Sequence, residues 1–126
     1  MNATDNASQT FGDYIRQRRL ALLEGDRSFS VRKVAARLGV QPAYLSKVEL
    51  GQVGPTSEAT TRKLAEILNE DPDVLLAMAG KVSSDLQDAI RKRPRLFAEL
   101  IRELKNAPDP ALERVVRETR AQYGAQ

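Results

Sequence analysis

The sequence predicts an all-α protein. Three observations carry this reading. No stretch alternates apolar and polar residues with the β-branched enrichment of a strand. Apolar residues recur instead at spacings of three and four, the period of a helix with one buried face. Gly, Pro, Ser and Asp stand at the ends of those stretches, where caps and first turns favour them. Aromatic residues make up only 5% and Trp is absent, so the core must come from Leu, Ile, Val and Ala packed helix on helix.

Residues 1–9 read as a mobile polar tail. The first helix is expected from about Thr10 to Glu24, with Phe11, Ile15, Arg19 and Leu22 on one stripe and Gly25-Asp26 ending it. Ser30 caps a short second helix that faces Val31, Val34, Ala35 and Leu38 inward and stops at Gly39. Pro42 opens the third helix at a position where its missing N–H costs nothing; Tyr44, Leu45 and Val48 form its apolar face, and Gly51 ends it. After the loop Gln52-Val53-Gly54-Pro55, a fourth helix follows Ser57 with Leu64, Ile67 and Leu68 inward. Asp71-Pro72 starts a fifth, carrying Val74, Leu75 and Met78 to Gly80. Beyond it, Ser84-Asp85-Leu86-Gln87 reads as a capping box. Pro94 and Asp109-Pro110 open two more amphipathic helices. No internal repeat or low-complexity segment is present.

A chain of 126 residues holds one domain, or one with a short extension. It has no His and no Cys, which removes imidazole or thiolate metal sites, thiol chemistry and His-activated nucleophiles. No metal or cofactor is expected. The absence of disulfides fits a reducing cytoplasm. The start, MNATDNASQ, lacks the basic and apolar parts of a signal peptide, and the longest apolar run, Val74 to Ala79, is too short for a bilayer. A cytoplasmic protein is therefore expected. Glu99 and Glu103 share a helix face, but Arg102 and Lys105 beside them make it a solvated surface, and the seven glycines are scattered as caps rather than gathered in a phosphate loop. An enzyme is not expected.

Net charge is +3, unevenly spread. Residues 11–63 carry ten Lys/Arg against five Asp/Glu, residues 64–80 carry four acids and no base, and residues 81–126 carry ten bases and seven acids. This pattern fits a basic surface turned to a polyanion, and equally the solvated surface of ordinary helices.

The stretch Ser30 to Gly51 narrows the choice. Two short helices joined by Gly39-Val40-Gln41 have the spacing of a helix-turn-helix. Ala35 is small enough for a close crossing, while Val40, Leu45 and Val48 hold the second helix to the body. Gln41, Pro42, Ala43, Ser46 and Lys47 then face outward, with Tyr44 at the margin, and such a helix can enter a major groove.

The run Val34-Ala35, Leu38-Gly39-Val40, Tyr44-Leu45-Ser46, Glu49-Leu50-Gly51, Pro55 and Lys63-Leu64-Ala65 resembles the XRE, or lambda-repressor-like, helix-turn-helix transcriptional regulators. The resemblance covers residues 11–80. It implies a five-helix DNA-binding bundle over residues 10–80, usually a dimer that binds a palindromic operator in double-stranded DNA and represses transcription. It places Gln41, Pro42, Ala43 and Lys47 where the family reads bases. Pro42 and Ala43 offer only apolar contact, for instance to a thymine methyl, so base hydrogen bonds rest on Gln41, Lys47 and Tyr44, and shape readout gains weight. Tyr44 reads equally well as packing. Val31 stands where many members carry a phosphate-clamping Gln, a role that falls to Arg32. Arg27, in a lengthened loop, and Gln52 and Arg62 are further contacts; Arg18 and Lys63 are phosphate candidates that also read as solvated charges. The resemblance implies that Glu49 pairs with Arg19. The alternative on the same fold is an antitoxin or adaptor that mainly binds protein.

Residues 81–126 form the helical extension. Phe97, Leu100, Ile101, Leu104, Leu112, Val115 and Val116 expose more apolar surface than a five-helix domain can cover, which predicts a two-fold homodimer; an intramolecular extension of the core is the other reading. Gly80-Lys81-Val82 through Arg91-Lys92-Arg93-Pro94 is similar to the C-terminal extensions of peptidase-regulated repressors of the DdrO and CapH type. That resemblance implies a zinc peptidase, encoded nearby, that cleaves the last helices and separates the dimer.

Overall fold

The structure, a computed structural model, describes residues 3–124, with side chains from Phe11 onward. It is all-helical: α1 (Ala3–Leu23), a 3-10 turn (Arg27–Phe29), α2 (Val31–Leu38), α3 (Pro42–Glu49), α4 (Glu58–Leu68), α5 (Pro72–Met78), α6 (Ser84–Lys92), α7 (Pro94–Leu104) and α8 (Asp109–Tyr123). The chain divides into two compact units, the first ending at Ser84 and the second beginning at Asp85.

α1 begins at Ala3 rather than near Thr10, so the segment read from sequence as a polar tail is helical from Ala3 on. Nothing between Ala3 and Thr10 breaks a helix. Ala3 and Ala7 are strong formers, and Asp5 lies where an acid suits the positive end of the helix dipole.

The helices of the first unit are short, and isolated helices of that length are marginal in water, so packing holds them. α1 crosses α3, α2 packs on α3 and α4, and α5 lies on α4 and α1. The shared core contains Phe11, Ile15, Phe29, Val34, Ala35, Leu38, Leu45, Val48, Leu64, Leu68 and Leu75, each contributing about 1.5–3 kcal/mol when large and fully buried. On α5 the inward pair is Leu75 and Leu76, both fully buried, whereas Val74 is 49% exposed. Adjacent apolar residues on a helix diverge by about 100°, and the contact with α4 selects the later pair. Tyr44, read as part of the apolar face of α3, is exposed, and Val31 and Ile67 are only half-buried.

Two features fix α3 against α1. A Cβ built on Gly12 would lie 2.8 Å from the Glu49 carbonyl oxygen and closer still to that of Val48. The two backbones therefore meet where only a hydrogen fits. About two turns further along α1, Arg19 is 5% exposed and reaches Glu49, which is 3% exposed. Its Nε and Nη2 donate to the two carboxylate oxygens at 2.7 and 2.9 Å, and Nη1 donates to the Phe29 carbonyl at 3.2 Å. The fork geometry satisfies both charges, and no buried side-chain nitrogen or oxygen among the described residues lacks a partner.

The first unit runs past Gly80, the expected boundary. Ser83 is buried, Lys81 Nζ donates to the Thr56 carbonyl at 3.1 Å, and Ser84 Oγ donates to Glu58 Oε2 at 2.8 Å. Thr56 itself is buried with its hydroxyl 2.6 Å from that of Thr61. Ser84 is the first residue of α6 and spends its hydroxyl on Glu58, so it does not stand ahead of the helix as the cap of the expected box. The Ser84 hydroxyl, then Arg62, hold the Glu58 carboxyl below its ordinary pKa.

The second unit differs in kind. None of the residues of α6, α7 or α8 is buried. Ile101 is 56% and Val116 53% exposed, and Leu96, Leu100, Val115 and Tyr123 are exposed as well.

Two substitutions test the α1–α3 contact. Gly12→Ala should destabilise the chain by about 1–3 kcal/mol in urea unfolding, because backbone must move to admit the methyl. A change within 0.5 kcal/mol, roughly the range for a surface site, would show that the helices part freely. Arg19→Ala leaves a buried carboxylate alone and should cost about 3–5 kcal/mol, while the paired change Arg19→Met with Glu49→Met should recover most of it. Equal losses in single and double variants would mean the ion pair itself, and not its disruption, sets the stability.

Candidate nucleic-acid interface

The turn between α2 and α3 is built from local chemistry. Ser30 caps α2, its Oγ accepting from the Lys33 N–H at 3.3 Å. Gly39 closes the helix at φ 82°, a left-handed conformation that side chains resist. Its N–H donates to Ala36 O at 3.2 Å and to Ala35 O at 2.8 Å, and the Val40 N–H donates to Ala35 O at 3.0 Å. This is the Schellman arrangement, and it turns the chain sharply enough to start α3 at Pro42. Gln41 precedes Pro42 in an extended conformation and makes no side-chain bond to the helix end.

Leu45, Val48 and Glu49 are buried, so the opposite side of α3 is fixed outward. Gln41, Pro42, Ala43, Tyr44 and Lys47 are all exposed on it, and Ser46 is half-buried. α2 contributes Arg32 and Lys33. Together with Ala36, Val40 and Pro42 these line a hollow of about 290 Å³ between the two helices. Lys33 was not singled out from sequence; its signal is its place beside Arg32 on the outer face of α2.

The other sequence candidates sit differently. Gln52 is exposed in the loop after α3. Arg27 is exposed in the 3-10 turn, whose start is capped by Asp26 accepting from the Ser28 N–H at 2.9 Å; that bond holds the Asp26 carboxyl below its ordinary pKa. Arg62 is half-buried and paired with Glu58 at 3.4 Å, and Lys63 beside it is exposed. Arg18 is engaged within the fold: its Nε donates to the Leu68 carbonyl at 3.0 Å and meets Glu70 at 3.1 Å. Glu70 also holds the Tyr14 phenol by a hydrogen bond and raises its pKa. Arg37 was not anticipated in any role. It donates to the Ser28 carbonyl at 2.7 Å and stacks over the Phe29 ring, 4.7 Å from the centroid, which clasps the long loop to α2.

The outward face of α2–α3 therefore holds three exposed cations, Arg32, Lys33 and Lys47, an amide at Gln41 and a phenol at Tyr44, and no carboxylate. Among the described residues no group of three or more Asp, Glu, His or Cys is placed to hold a metal, and no helix is long and apolar enough to cross a membrane. The arrangement suits binding to an anionic partner with polar edges.

Comparison with known proteins agrees with this geometry. The chain is 34% identical over 74 residues to RghRB, an uncharacterised HTH-type transcriptional regulator of Bacillus subtilis (strain 168). The match covers 59% of this chain and 50% of that protein, so the chain spans about half the length of the curated relative. No solved structure is a significant match. The helix-turn-helix domain family matches residues 10–78, which takes in α2, the turn and α3 whole, and the chain belongs to that family.

Proposed function

We propose that the protein is a sequence-reading DNA-binding regulator of transcription, acting as a two-fold dimer on a palindromic operator, in the manner of a repressor. The observation that carries this reading is the exposed face of α3. Gln41, Tyr44 and Lys47 project from a helix whose other side is immobilised by Gly12, Arg19 and the core, so their positions are set before any partner arrives. A helix of this length fits the major groove with its first turns at the base edges. Lys47 reaches guanine acceptors, Gln41 pairs with adenine or with phosphate, and Pro42 and Ala43 pack on thymine methyls. Arg32, Lys33 and Arg27 contact the phosphates on either side.

Dimerisation rests on the second unit. Phe97, Leu100, Ile101, Leu104, Leu112, Val115 and Val116 lie on α7 and α8 without one fully buried side chain among them. Helices of this length do not hold a wet apolar stripe in order on their own. A second copy covers it symmetrically and sets two α3 helices about one DNA turn, ~34 Å, apart. The same apolar face is what favours an adaptor or antitoxin, in which a different protein covers α7 and α8.

Selection of binding sites from random duplex DNA tests the main reading; it should return a two-fold symmetric site. Lys47→Ala should then cost about 1–3 kcal/mol at one or two base positions and little elsewhere. A loss spread evenly over all sequences would make Lys47 a phosphate contact. Ile101→Glu with Val116→Glu, both at exposed positions, should convert a sedimenting dimer to monomer without loss of Tm in the first unit. A species of unchanged mass would assign the dimer to another surface.

A further inference from the structure

The corner between α6 and α7 is the most concentrated charge in the chain. Residues 89–98, AIRKRPRLFA, carry Arg91, Lys92, Arg93 and Arg95 and no acid. All four are exposed. Arg91 is engaged with Asp88 at 3.2 Å and with Gln87 at 3.1 Å. The side chains of Lys92, Arg93 and Arg95 form no ion pair or hydrogen bond among the described residues, although Lys92 and Arg93 share a hollow with Asp85 and Asp88.

Local structure accounts for only part of this. Arg91 and Lys92 lie in the last turn of α6, where the negative end of the helix dipole welcomes them. Arg93 and Arg95 lie at the opposite kind of place: Arg93 stands at the N-cap position of α7 without a side-chain cap bond, Arg95 is in its first turn, and no acid lies in that turn. Cations at that end are disfavoured by the dipole and by one another. The start of α7 is thus charged against the preference of its own helix.

We infer that this corner is a second contact to nucleic acid, a sequence-independent grip on duplex phosphates by Lys92, Arg93 and Arg95. The inference rests on the DNA-binding reading above and deepens it. Duplex DNA is favoured over an anionic membrane because the same chain carries α3, so a duplex bound there brings a polyphosphate to the chain that also bears the corner. Phosphate contacts of this kind raise affinity and salt sensitivity without adding sequence information.

The test compares the full-length protein with the triple variant Lys92→Gln, Arg93→Gln and Arg95→Gln on a short random-sequence duplex across a salt series. All three positions are exposed, and unchanged far-UV circular dichroism would show the fold intact. The variant should lose affinity at low salt, and the slope of log affinity against log salt should shallow by about 1–3 per subunit. Base preferences in site selection should stay the same. An unchanged slope overturns the inference while leaving the α3 reading standing; wild-type protein that binds no duplex at all sinks the α3 reading first. Tighter retention on phosphatidylserine vesicles than on duplex, lost in the triple variant, would overturn the assignment to nucleic acid in favour of a membrane.

Discussion

The bond between Arg19 and Glu49 sets the attitude of α3. It is a buried bidentate pair that joins the C-terminal part of α1 to the last residue of α3, with its third donor on the loop between α1 and α2. Buried pairs of this kind add little net stability, since desolvation offsets most of the attraction. What they add is geometry. A guanidinium fork accepts a carboxylate in one plane, and that plane fixes how far α3 can roll about its own axis. Gly12 fixes the other coordinate, the distance between the two backbones. With roll and separation set, the residues from Gln41 to Lys47 have one orientation available.

The rest of the first unit can be understood as support for that arrangement. The Schellman turn at Gly39 aims α3, Arg37 clasps the lengthened loop over Phe29, and the segment from Lys81 to Ser84 ties back to Thr56 and Glu58 at the start of α4. Each is a polar tie placed where a loop enters or leaves the core. Together they leave the α2–α3 face rigid without using any of the side chains that project from it.

Much of this was legible in the chain because it is local. Ser30, Gly39, Pro42, Ser57 and Asp71-Pro72 mark helix ends through bonds to residues at most a few positions away, and each helix they bound is present in the structure. What escaped depends on distant approach. Nothing near Gly12 in sequence shows that α3 lies against it, and Arg37 looks like any surface arginine until the loop folds back. Arg19 and Glu49 are thirty positions apart, and from the sequence it was the family resemblance that paired them, not periodicity. The choice between Val74 and Leu76 was hidden for the same reason, since both are apolar and only the placement of α4 decides which turns inward. At the N-terminus the error ran the other way: polar composition suggested a tail, but polarity on all sides does not prevent a helix when no breaker is present. For the candidate interface, the outward face of α3 followed from its inward one, whereas Lys33 and the engaged state of Arg18 needed the neighbouring elements in place.

The second unit has a quantitative implication of its own. Three helices with no interior gain their order from whatever covers them, and when the cover is an identical chain, occupancy follows mass action. The number of dimers then rises with roughly the square of chain number at low abundance, and the dimeric fraction in simple proportion to it. On the proposed dimer, such a controller responds to its own copy number more steeply than a monomer would, with no small molecule required to set the midpoint.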